Sequence, residues 1–172
     1  MDIQELRREA QTMQPQLTAD RRRLHRNPEA GAVLPETVAY VKGRLTEMGY
    51  HPQELGGGLT ATVTGTDTGR CILLRADMDA LAGREQSGLD FQSDNGAMHA
   101  CGHDMHAAML LGAAKLLKAH EDELEGTVKL EFQPAEEIFQ GSPDMLANGL
   151  LEDPHVDAAV MFHVLAGMPL PT

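Results

Sequence analysis

The segment from Glu36 to Met48 places Val38, Val41, Leu45 and Met48 at spacings of three and four, which predicts an amphipathic helix. A longer stretch of the same kind, Ile3 to Arg26, sets Leu6, Ala10, Leu17 and Leu24 among many charges and predicts one N-terminal helix. Pro28 closes it, because proline disfavours helical geometry at the preceding residue. Asp104 to His120 is apolar nearly all round as far as Lys115, so it reads as a largely buried helix with Asp104 near its N-cap. "SPDMLANGLLED" reads as a short helix, with Ser142 as cap and Pro143 in the first turn. The strand signals are "TATVTG", "CILLRADMDA", "GTVKLEFQPA" and "VDAAVMFHV". The second opens with a continuous apolar run, as expected of a strand buried on both faces. "ELGGGL" and Leu81 to Ala97 read as loops.

Strands alternate with helices, so the expected fold class is α/β with a largely parallel sheet. The composition adds a constraint on the core. Aromatic residues make up 3% of the 172 residues and there is no Trp, so the core must be aliphatic and rich in Met. The formal net charge of -12 argues against nucleic acid or an anionic membrane as partner. The N-terminal stretch lacks an apolar signal region, and two cysteines are too few for a disulfide framework. Both features point to a cytoplasmic protein with reduced thiols.

Unusual polar residues follow the strands. Asp77 and Asp79 follow "CILLR", Glu136 and Glu137 follow "VKLEFQP", and His163 follows "AAVMF". Ligand sites of open α/β sheets collect beyond the carboxyl ends of the strands. The loop "HACGHD" precedes a helix and can lie at the same edge. Cys101, His103, Glu137 and His163 can therefore converge, and thiolate, imidazole and carboxylate together are a usual ligand set for zinc and similar divalent ions. A helix N-terminus would lower the Cys101 pKa and favour the thiolate. Glu136 and Glu137 are adjacent, so in extended chain they point opposite ways, one to an ion and the other to a water.

Blander readings stand beside these. The histidines could form a surface cluster without an ion, and the acid pair could be a solvated loop. Cys101 could instead be a nucleophile paired with His103 or His163. Cys71, beside Ile72 and Leu73, reads as core. His25 reads as surface or helix-packing, and His51, His120 and His155 as exposed or capping residues.

"RRRLHRNPEAG", "LLRADMDAL", "NGAMHACGHDMHAAMLLGAAKLL", "VKLEFQPAEEIFQG" and "FHV" occur in that order over nearly the whole chain. Together they resemble the metal-dependent amidohydrolases that include N-acyl-L-amino-acid amidohydrolases, hippurate hydrolases and indole-acetyl-amino-acid hydrolases. Ala82 stands where that family usually has proline. The resemblance implies a zinc-peptidase-like three-layer αβα catalytic domain, with two divalent ions of zinc, manganese or cobalt. It implies Cys101 (bridging), His103, Glu137 and His163 as ligands, Glu136 as general base, and Asp79, helped by Asp77, as the acid that orients a ligand. The implied substrate is a small N-acyl amino acid. The resemblance also implies that residues 1–172 are the N-terminal part of a truncated catalytic domain, without the lid and dimerisation domain. The full-length form would be a homodimer or higher oligomer. The alternative is a non-catalytic remnant that binds metal without turnover.

Overall fold

A computed structural model describes residues 2–165 and Gly167. The N-terminal periodic stretch is two helices, α1 (Ile3–Thr12) and α2 (Gln14–Arg26), where one was expected. Pro15 sits in the first turn of α2. It has no N–H to donate to the carbonyl four residues back, and its ring crowds that carbonyl, so the helix breaks at Met13. The helix α3 (Pro35–Glu47) buries Thr37, Val41 and Leu45 on one face, as the spacing predicts.

β1 (Gln53–Leu55) and β2 (Gly58–Thr64) form a hairpin out of what read as a glycine loop. Gly56 and Gly57, both at positive φ, make the tight reversal. β3 (Thr66–Asp77), α4 (His103–Ala119) and β6 (Glu125–Gln133) then form a crossover unit whose two strands are parallel neighbours. Between β3 and α4, the expected loop contains a small antiparallel pair, β4 (Leu81–Ala82) with β5 (Ala97–Met98). α5 (Gly141–Ala147) leads to the edge strand β7 (Ala158–Met161). Its N-cap is Gln140, with no side-chain capping bond, so Ser142 is not the cap.

The main sheet has the order β1-β2-β6-β3-β7. β6, β3 and β7 are mutually parallel, and β1 runs their way because both it and β6 are antiparallel to β2. The sheet is thus mostly parallel, with β2 alone reversed. Alternation along the strands separates two faces. Ala61, Val63, Ala76, Leu130 and Phe132 face α2, α3 and α4 in the main core, with Leu24, Val41, Leu45 and Leu111. Leu73 meets Met145 and Leu150, in and just after α5, on the opposite face. Helices on both faces give three layers, αβα. Cys71 is buried in β3, in keeping with a core thiol.

The second face is unusually polar. Arg75 donates to Gln133 at 2.7 Å, and Lys129 donates to the carbonyls of Leu150 and Glu152 at 2.7 and 2.5 Å. Burial leads the causes that push the Glu131 carboxyl up to about 7. β3 and β6 run in register to Asp77 and Gln133, so the chain segments that follow them leave the sheet at one edge.

Candidate functional site

His103 is the first residue of α4 and is 1% exposed. The helix starts at Gly102, whose φ of 84° suits a residue without a side chain. Asp104 was expected near the N-cap. It turns inward instead, to Arg21 at 3.0 Å and His25 at 2.8 Å. The His103 Nδ1 lies 2.8 Å from the backbone carbonyl of Asp79. A carbonyl only accepts, so the proton is on Nδ1 and Nε2 carries the lone pair.

That Nε2 is buried and has no hydrogen-bond partner among the described residues. It looks toward three carboxylates, Asp77 Oδ1 at 3.6 Å and Glu136 Oε2 and Glu137 Oε1 at 3.8 Å each. These separations are too long for hydrogen bonds. They are the separations expected of ligand atoms that each lie about 2 Å from a shared ion. Cys101, His103 and Glu137 bring ligand atoms within 4.8 Å of one another, and so do Asp77, His103 and Glu136. Four carboxylates, Asp77, Asp79, Glu136 and Glu137, crowd this edge. A divalent cation suits such a donor set, and the buried, unpaired imidazole nitrogen at its centre gives the ion a ready ligand.

A third group, His103, His106 and His163, meets the same distance limit. His163 is exposed, and its Nδ1 lies 2.6 Å from the Val164 carbonyl, which leaves its Nε2 free as in His103. The structure therefore brings Cys101, His103, Glu137 and Glu136 together, and His163 joins them through His103. Asp79 contacts the cluster from behind. Its carboxylate accepts from the Glu137 backbone N–H at 3.1 Å, and both its carbonyl, at 2.8 Å, and its carboxylate, at 3.3 Å, lie close to His103 Nδ1.

Three expectations need correction. Glu136 and Glu137 do not point opposite ways, since both reach His103 Nε2. Ala135, at φ 53°, reverses the chain directly after β6, so the pair sits in a turn. A non-glycine residue there costs about 1–2 kcal/mol, and such strain concentrates at functional sites. The Cys101 thiol is not lowered by the helix N-terminus. A hydrogen bond to Glu137, then burial and the surrounding carboxylates, push it up to about 11. His25 is neither on the surface nor simply packed. It is buried between Asp104 at 2.8 Å and Glu85 at 3.0 Å, tying the 81–97 segment to α4.

Sequence reasoning gave His106 no role and Asp77 only a supporting one. His106 stands one turn after His103, and that spacing was the signal available for it. Burial would raise the Asp77 carboxyl, but the hydrogen bond from His106 and the nearby His103 and Arg75 outweigh it and hold the carboxyl below its ordinary value. In His103, burial is likewise outweighed by Asp79 and Asp77, which hold the imidazole above its ordinary value.

The chain is similar to known proteins over most of its length. The chain is 44% identical over 155 residues to N-acetyl-L-cysteine deacetylase of Bacillus subtilis, covering 88% of this chain and 37% of that protein. It is 35% identical over 170 residues to an N-acyl-L-amino acid amidohydrolase of Geobacillus stearothermophilus, covering 95% of this chain and 45% of that one. A crystal structure of a dinuclear metal-binding peptidase of the M20 family from Bacillus subtilis superposes with a TM-score of 0.87 at 37% identity, over 93% of this chain and 45% of that chain. The chain thus spans less than half the length of each of these relatives. The profile of peptidase family M20/M25/M40 matches residues 73–171, from the middle of β3 through the clustered thiol, imidazoles and carboxylates. With more than half of its residues inside that match, the chain belongs to peptidase family M20/M25/M40.

Proposed function

We propose that this chain supplies the metal centre of an amidohydrolase that cleaves N-acyl amino acids. The observation that carries the reading is the buried His103 Nε2, unpaired among the described residues and grouped with Cys101 and Glu137 within 4.8 Å. Cys101, His103, Glu137 and His163 would hold two divalent ions of zinc, manganese or cobalt. When bound, such ions polarise the scissile carbonyl and make a water molecule acidic. Glu136 is the general base. Its side chain is 33% exposed against 15% for Glu137, so it faces the open side of the cluster where a water and substrate can enter. It takes a proton from water as the water oxygen adds to the carbonyl carbon. It returns that proton to the amide nitrogen as the C–N bond breaks, leaving a carboxylic acid and a free amino acid. Asp79 fixes the His103 tautomer and the backbone beside Glu137.

A thiol nucleophile at Cys101 is disfavoured by the same geometry. Its close neighbour is the Glu137 carboxylate, which raises its pKa rather than stabilising a thiolate. Among the described residues no helix is long and apolar enough to cross a membrane. In this reading the whole protein acts on a small substrate in the cytoplasm as a homodimer or larger oligomer.

The test is Glu136→Gln in the metal-loaded protein, assayed on N-acetyl and N-benzoyl amino acids. Turnover should fall about 10²–10⁴-fold with bound metal unchanged. Unchanged turnover would refute the base, and lost metal would make Glu136 a ligand.

A further inference from the structure

His106 lies with His103 and His163 in one potential ligand group, yet both of its ring nitrogens are already committed. Its Nδ1 is 2.5 Å from Asp77 Oδ1, and an ionised carboxylate only accepts, so Nδ1 carries the proton. Its Nε2 accepts the backbone N–H of Val164 at 3.0 Å, so Nε2 carries the lone pair. Both contacts demand the same neutral tautomer. No lone pair remains for an ion unless the Val164 bond is given up. This sets His106 apart from His103 and His163, whose Nδ1 atoms donate to carbonyls and whose Nε2 atoms are free to bind.

The residue held by His106 adjoins His163. The His163 ring stands 4.5 Å from the His106 ring and 6.3 Å from the His103 ring, each edge-on. The Val164 side chain also packs where a Cβ on Gly102 would stand, so the segment after β7 is seated against the start of α4 at two points. β7 ends at Met161, and no ladder pairing is formed by His163 itself. Its place over the cluster therefore depends on these contacts.

We infer that His106 is a positioning residue, a buried peg that passes the fixed location of Asp77 on β3 to Val164 and thereby sets the His163 imidazole over the metal centre. The inference rests on the metal-centre reading above. Without the peg, the segment after β7 would lose its backbone hydrogen bond to α4, and His163 would be held over the cluster less firmly for each ion bound.

Two measurements test it. Histidine-selective nitrogen-15 NMR of the unaltered chain, with and without zinc, reads each ring nitrogen. Zinc should shift Nε2 of His103 and His163, while His106 keeps its Nδ1–H tautomer and a hydrogen-bond coupling to Val164 N–H. A zinc shift at His106 Nε2, or no such coupling, overturns the inference. In the second measurement, His106→Phe should weaken zinc about 10–100-fold, the range for groups that orient ligands. In a His163→Ala background the same change should cost less than about twofold, because the two residues act through one ligand. An equal loss in both backgrounds would mark a general scaffold effect and overturn the inference. If His106→Phe does not fold by circular dichroism, His106→Gln carries the same cycle. An unaltered chain that binds no zinc overturns the metal-centre reading and this inference with it. Zinc binding with no link between His106 and His163 overturns this inference alone.

Discussion

Replacing Glu131 by glutamine should make the protein more stable in mildly alkaline solution and leave it almost unchanged in acid. Glu131 is 1% exposed, on the polar face of β6, and its Oε1 has no hydrogen-bond partner among the described residues. Arg75, its registered neighbour on β3, donates to Gln133 and its charge offsets only part of the burial, while Asp77 adds a second negative charge nearby. Burial comes first among the causes that move its carboxyl from 4.5 to about 7. The native state therefore binds this proton more tightly than the unfolded chain does. Between pH 4.5 and about 7 the native state still holds a proton that the unfolded chain has released, so stability falls as pH rises through that window. Above it the full penalty applies. At about 1.4 kcal/mol per pH unit, the gap from 4.5 to about 7 amounts to about 3 kcal/mol. Glutamine keeps the shape without the charge. Urea unfolding of both proteins in chelator, followed by circular dichroism, should show the variant ahead by up to about 3 kcal/mol at about pH 8. At the acid end of the window the two should agree within about 0.5 kcal/mol. The same difference at both pH values, or a parent that is the more stable at the alkaline one, would refute the reasoning.

His25→Leu should cost about 3–5 kcal/mol at neutral pH, since it leaves the buried Asp104 and Glu85 carboxylates without the group between them; a loss under about 1 kcal/mol in urea would contradict this. Gly102→Ala should destabilise by about 1–2 kcal/mol from its φ of 84° alone. It should also weaken zinc binding, because the new methyl displaces Val164 beside His163; calorimetric titration showing unchanged zinc affinity would count against that link. Leu111→Ala, at a fully buried core position of α4, should cost about 2–5 kcal/mol with zinc stoichiometry intact.

Much of the fold could be read from local pattern, because local pattern was where its causes lay. The apolar run of β3, the strand signal of "GTVKLEFQPA" and the three-and-four spacing of α3 each name an element; β6 and α3 fall within two residues of the expected bounds, whereas β3 begins five residues before its apolar run, at Thr66. The break at Met13 also had a local cause, Pro15, which the continuous periodicity masked. Strand order had none. Nothing in "TATVTG" says that β2 lies reversed against β6, since that pairing is a contact between residues far apart in sequence. The candidate site divides in the same way. The thiol, the imidazoles and the acid pair were recognisable as residue types at strand ends and at a helix start. Their electrostatics were not, because the direction of the Cys101 shift depends on Glu137, which reaches it only through the turn at Ala135. The burial of His25 and the double engagement of His106 likewise depend on partners 60 or more and 29 or more positions away.

The central claim is that this edge of the sheet holds a divalent ion. Crystals of the chain grown with zinc, measured on both sides of the zinc absorption edge, locate the ion directly. The account predicts an anomalous peak among Cys101 Sγ, His103 Nε2 and a Glu137 carboxylate oxygen, lost in Cys101→Ser combined with His103→Ala. A zinc-saturated crystal with no peak there, or with its peak elsewhere on the molecule, would contradict it.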